Sequence, residues 1–158
     1  MTPPDALLPY LNAKGSLTAL LEAKAKRPLG VKIIREGYSP LNHHQKTHLN
    51  LPLHRPALAW VREVLLFGKD GDDADAWVHA KSVFPISSLL GDAKRLRHLK
   101  RTPIGYVMFN KNPSLPHKRY FICEAGLCGR VTVYDWHTRP ILIQEVFLDA
   151  FVQSLSEQ

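Results

Sequence analysis

The sequence predicts an α+β fold with an antiparallel sheet, formed as one domain over residues 1–158. Three observations carry that expectation. Helical patterning is concentrated at the start of the chain. Strand-like runs then follow one another through short connections. Regular strand–helix–strand alternation is missing, which excludes a doubly wound parallel sheet. The composition agrees, since 45% hydrophobic and 22% charged residues are ordinary for a globular domain able to bury a core.

The elements follow in order. Residues 5–27 read as helical, with Leu7, Leu8 and Leu11 on one apolar stripe. Ser16 is placed to cap the run that begins at Leu17, and Pro28 and Gly30 stop it. Residues 31–38 are rich in β-branched side chains and read as a strand. Residues 39–57 form a long connection holding Pro40, Pro52, Pro56 and the histidines His43, His44, His48 and His54. No acidic or cysteine partner lies in that stretch, so its spacing matches no metal motif. Residues 58–67 and 76–85 read as a hairpin around the Asp70-Gly71 turn. That turn lacks the closing glutamate of a calcium loop and reads as a solvated acidic turn.

Residues 86–101 read as one or two short helices ending in the basic run Lys94 to Arg101. Leu96 and Leu99 are placed to face inward while the cations face water. An apolar stretch ends at Phe109, and a loop runs from Asn110 to Pro116. Strands at 118–125, 129–136 and 140–148 close the chain, with corners at Gly126-Leu127-Cys128 and His137-Thr138-Arg139. Asp149 is placed to cap a short tail.

Charge and cysteine usage narrow the function classes. Twenty-one Lys and Arg against fourteen Asp and Glu give a formal charge of +7. That surplus favours anionic partners, or else keeps the surface soluble. Cys123 and Cys128 do not have redox-motif spacing and are expected to be reduced packing residues. No apolar run approaches the roughly 20 residues of a spanning helix. Met1 to Asp5 lacks a basic region followed by an apolar one. The expectation is a cytoplasmic protein with no membrane insertion. No nucleophile elbow, phosphate loop or dinucleotide fingerprint is present.

Strand alternation isolates two charges. One face of the strand around residue 60 carries Trp60, Arg62, Val64 and Leu66. One face of the last strand carries Ile141, Ile143, Glu145 and Phe147. A charge on a buried stripe needs a partner. Arg62 and Glu145 therefore either pair structurally, with each other or with neighbours, or line an internal ligand pocket. A buried arginine receives a carboxylate well, and a carboxyl in an apolar pocket can exchange protons near neutral pH. Glu63, on the opposite face, reads as a surface or cross-strand pairing residue.

Six blocks in order resemble the chorismate pyruvate-lyase family across roughly residues 5–150. They are Ile34-Arg35-Glu36-Gly37, Trp60 to Leu66, Pro85 to Leu89, Thr102 to Gly105, Ala125 to Arg130 and Glu145 to Leu148. The resemblance implies cleavage of chorismate to 4-hydroxybenzoate and pyruvate, toward ubiquinone, with no metal or organic cofactor. It implies an antiparallel sheet with helices packed around it and an internal site closed by helical flaps. It also implies that Arg62 and Glu145 hold the product, with Leu17 and Ile104 as further contacts. Cys128 stands where the family commonly has an aromatic residue, and Asp149 where it commonly has proline. The expected partners are a small-molecule substrate and product, no nucleic acid, and a monomeric chain. Alternatives are a non-catalytic sensor domain of the same fold, a nucleic-acid module working through Lys94–Arg101, and a paralogue acting on a related chorismate-derived compound.

Overall fold

A computed structural model describes residues 2–109, 115–136 and 138–156. The strands are β1 (Gly30–Pro40), β2 (Leu58–Phe67), β3 (Val78–Pro85), β4 (His117–Glu124), β5 (Leu127–Trp136) and β6 (Arg139–Phe147). They form a six-stranded sheet in the order β1-β2-β3-β6-β5-β4, and every pairing is antiparallel. The helices are α1 (Leu8–Leu11), α2 (Leu17–Ala25), α3 (His43–His48), α4 (Ile104–Met108) and α5 (Asp149–Ser156), and 3-10 segments lie at Asp5–Leu7, Asp73–Asp75, Ile86–Ser88 and Gly91–His98.

Residues alternate between the faces, so each face has its own core. One face, called inner here, is covered in two halves. Leu7, Leu11, Leu17 and Leu21, together with Phe151 of α5, pack on Val64, Val78 and Phe147. At the other half, Leu89, Leu96, Leu99 and Met108 pack on Phe84, Tyr134, Trp136 and Ile141. The outer face buries Val61, Val83, Val131 and Leu142 under Leu41 and Leu49, which flank α3.

Several expectations change on contact with the structure. The N-terminal helical stretch breaks at residues 12–16, and Ser16 caps α2 by accepting from the Ala19 N–H. The connection after β1 contains α3, closed by an Asn42–Gln45 capping box. The apolar stretch after Pro103 is the helix α4 rather than an unassigned run. The β4–β5 corner is Ala125-Gly126, at φ 52° and 84°, so Leu127 already belongs to the strand. Two consecutive positive-φ residues suit a tight antiparallel turn, and glycine takes the second without strain. The expectation of reduced cysteines is overturned: Cys123 and Cys128 form a disulfide. They stand directly opposite in the β4–β5 register, so pairing places both sulfurs on one face. The expected turn residue His137 and most of the expected 110–116 loop lie outside the described residues.

A bulge in β1 decides what faces the centre of the sheet. Ile33 pairs with Val64, but Arg35 pairs with Glu63, so Ile34 is the extra residue. Without that insertion Arg35 would stand opposite Arg62. With it, Glu36 does.

Phe147 is fully buried and packs against Tyr10 and Phe151. Phe147→Ala should lower unfolding stability by about 3–5 kcal/mol. The shift of the urea midpoint at unchanged slope measures it, and a loss below 1 kcal/mol would contradict the packing described.

Candidate active site

The register aligns two polar rows across the inner face. One runs Glu36, Arg62, Ser82, Ile143, Thr132, Arg119 from β1 to β4. The next runs Ile33, Val64, Ala80, Glu145, Arg130, Phe121. Together they form a charged belt between the two apolar halves of the core, with three guanidinium groups and two carboxylates.

Arg62 is 2% exposed. Its Nη2 donates to the carbonyls of Lys100 at 2.9 Å and Thr102 at 3.0 Å. Its Nε lies 3.8 Å from Glu36 Oε1, too far for a hydrogen bond. That buried Nε has no hydrogen-bond partner among the described residues. Burial pulls the guanidinium below its ordinary pKa, and the Glu36 charge opposes the shift. An under-satisfied buried cation is costly, and a ligand carboxylate would complete it.

Glu145 is held from the other side. Arg130, at 0% exposure, donates from Nε to Glu145 Oε1 at 2.9 Å. Its Nη1 donates to the carbonyls of Tyr10, Leu11 and Ala13, where α1 ends. Arg119 donates to Thr132 Oγ1 at 2.9 Å, to Tyr134 Oη at 3.2 Å and to the Ala13 carbonyl. Burial lowers the Arg119 pKa, and the neighbouring Arg130 charge adds to that. Burial raises the Tyr134 hydroxyl, and Glu145 adds to it. Arg62 and Glu145 therefore do not form a salt bridge with each other. Each has its own neighbour of opposite charge.

The other two expected positions lie on the covering helices. Leu17 opens α2 and is buried in one half of the core. Ile104 opens α4 and packs against the other half. The helices touch where a Cβ on Gly105 would come within 2.8 Å of Thr18 Oγ1 and 2.9 Å of Ser16 Oγ. The Tyr106 hydroxyl donates to Glu22 of α2, which also accepts from the Leu29 N–H. That bond raises the Tyr106 pKa to about 12. Two open cavities lie elsewhere: one of about 410 Å³ between the N-terminal segment and β4, and one of about 360 Å³ beside His48, His117 and Thr138. Neither is lined by Arg62 or Glu145.

Glu63 faces outward and pairs with His79 at 2.7 Å, as its face requires. Sequence reasoning missed Glu36, Arg119 and Arg130 as members of the belt. Arg130 was accessible to the same alternation, since it shares a face with Val64-like apolar neighbours Cys128 and Trp136. Glu36 was not, because its face depends on the bulge.

A helix-flanked antiparallel sheet with a buried, cation-rich belt is a class of arrangement whose charge suits a small anionic ligand. The comparisons narrow that class. The profile of the family described as chorismate lyase matches residues 1–155, and the chain belongs to that family. A protein of Psychrobacter cryohalolentis named probable chorismate pyruvate-lyase is 52% identical over 154 residues, covering 96% of this chain and 90% of that one. A chorismate pyruvate-lyase of Escherichia coli is 31% identical over 144 residues, covering 91% and 83%. In fold, the chain resembles the crystal structure of a Staphylococcus aureus gene product, at TM-score 0.51 and 13% identity, over 78% of this chain and 85% of that one.

Gly105→Ala should wedge α2 from α4, because the added methyl meets two short side chains that cannot swing far. The expected cost is about 1–3 kcal/mol, with faster tryptic cleavage in the 14–27 segment. Unchanged stability and cleavage would show that the two helices are not in tight contact.

Proposed function

We infer that this chain cleaves chorismate to 4-hydroxybenzoate and pyruvate, and that the charged belt is where it does so. The observation that carries the reading is the buried Arg62 with an unmet Nε donor, set two strands from a carboxylate held by its own arginine. Chorismate brings two carboxylates to a belt with one surplus cation. Arg62 anchors a carboxylate of substrate and product. Glu145, fixed through Oε1 by Arg130, presents Oε2 to the ring oxygen substituent and transfers the proton there.

The bookkeeping needs no outside reagent. The bond between the ring and the enolpyruvyl oxygen breaks, and the ring gives up one proton and becomes aromatic. The departing enolpyruvate gains a proton and becomes pyruvate. Aromatisation makes the step downhill, so the protein's task is to position the ring and move one proton. Leu17 and Ile104 close the site and keep water from it. No cofactor takes part in this reading. The protein acts in the cytoplasm as a monomer of one domain over residues 1–158. No helix among the described residues is long and apolar enough to cross a membrane.

The test is turnover of chorismate by purified protein, followed by chromatography of 4-hydroxybenzoate. Glu145→Gln should lower kcat at least about 100-fold, within the usual range for a proton-transfer group. Arg62→Ala should weaken both chorismate turnover and 4-hydroxybenzoate binding. Full activity in both variants sinks the assignment. Binding of 4-hydroxybenzoate by wild-type protein without turnover of chorismate would make the chain a sensor instead.

A further inference from the structure

The basic run 94–101 plays no part in the reaction described, yet it roofs the site. Leu96 and Leu99 anchor it in the same half of the core as Trp60 and Ile104. Arg97 donates to the Tyr38 hydroxyl at 2.6 Å, and the Arg95 guanidinium lies 5.9 Å over the Trp136 ring. The segment's end supplies the Lys100 carbonyl that holds Arg62, and Thr102, the residue after the segment, supplies the other. Its backbone is thus tied to the substrate-anchoring arginine, while Lys94, Arg95, His98, Lys100 and Arg101 are exposed. The side chains of Lys94 and Arg101 make no hydrogen bond or ion pair among the described residues. Packing does not explain their charge. The acidic groups of the 70–75 turn are spent on the opposite end of β2, where Asp70 and Asp73 pair with Arg27 and Lys32.

We propose that the outer surface of residues 94–101 is an electrostatic funnel that draws a dianionic, carboxylate-bearing substrate toward Arg62. The inference rests on the chorismate reading and adds to it a role for charges that never touch the ring. A cleft lined with one sign of charge raises the local concentration of an oppositely charged ligand and its association rate. A dianion responds to each cation twice as strongly as a monoanion does, so the 4-hydroxybenzoate product is held back less than the substrate is drawn in. Salt weakens the effect, because exposed charges are screened within about 10 Å at 0.1 M.

The experiment measures the chorismate association rate by stopped-flow tryptophan fluorescence, with steady-state turnover alongside, from low to high salt. The wild-type rate should fall as salt rises. Lys94→Glu/Arg101→Glu should lower it about tenfold at low salt, the lower end of known steering effects, with kcat unchanged. The two proteins should converge at high salt, and 4-hydroxybenzoate association should change less than that of chorismate. A control with the same charge change elsewhere, Arg55→Glu/Lys69→Glu, should stay near the wild-type rate. Equal effects from the two double variants would overturn the funnel and leave only net charge. So would a loss of kcat at unchanged association, or a wild-type rate indifferent to salt. Association without turnover in the wild type would instead overturn the lyase reading, and the salt and variant series would still decide the funnel.

Discussion

The inner face answers to one constraint: charges placed on the buried face of a sheet must be compensated there. Removing one partner of a buried pair costs roughly 3–5 kcal/mol. The inner face carries Arg62, Arg119 and Arg130, and the fold supplies their partners from short, otherwise weak segments. The end of α1 turns three carbonyls onto Arg130. The loop at 100–102 turns two onto Arg62. A four-residue helix such as α1 has no stability of its own. Its place is fixed by leucines below and by a guanidinium at its end.

The same constraint explains why a single inserted residue matters. The Ile34 bulge selects Glu36 over Arg35 as the neighbour of Arg62. An arginine there would put two guanidinium groups side by side in a buried row. The carboxylate instead stabilises Arg62 without saturating it, because 3.8 Å is contact range for charges and not for a hydrogen bond. Arg62 is therefore charge-compensated while its Nε keeps an unmet donor.

Much of this was legible in the residues. One face of β2 (Trp60, Arg62, Val64, Leu66) and one face of β6 (Ile141, Ile143, Glu145, Phe147) are apolar stripes with a single intruding charge, and alternation placed Arg62 and Glu145 on one face directly. What alternation cannot supply is the partner across the sheet. Glu145 meets Arg130 and not Arg62 because β6 lies between β3 and β5, a matter of strand order that no local pattern encodes. Short helices were also hard to read. The five residues of α4 follow Pro103 with no side-chain cap. The polar α3 carried its signal only in the Asn42–Gln45 capping box. The disulfide depended on register, since Cys123 and Cys128 face each other only if the turn is Ala125-Gly126 and not one residue later.

Each half of the inner core carries one of the two covering helices. α2 belongs to the half built on Leu7, Leu21 and Phe147, and α4 packs against the half built on Leu96, Trp136 and Ile141. The two helices meet at Gly105 and through Tyr106–Glu22. A close-packed core resists gradual deformation. The charged belt lies between two close-packed halves, and the contact of α2 with α4 ties those halves together.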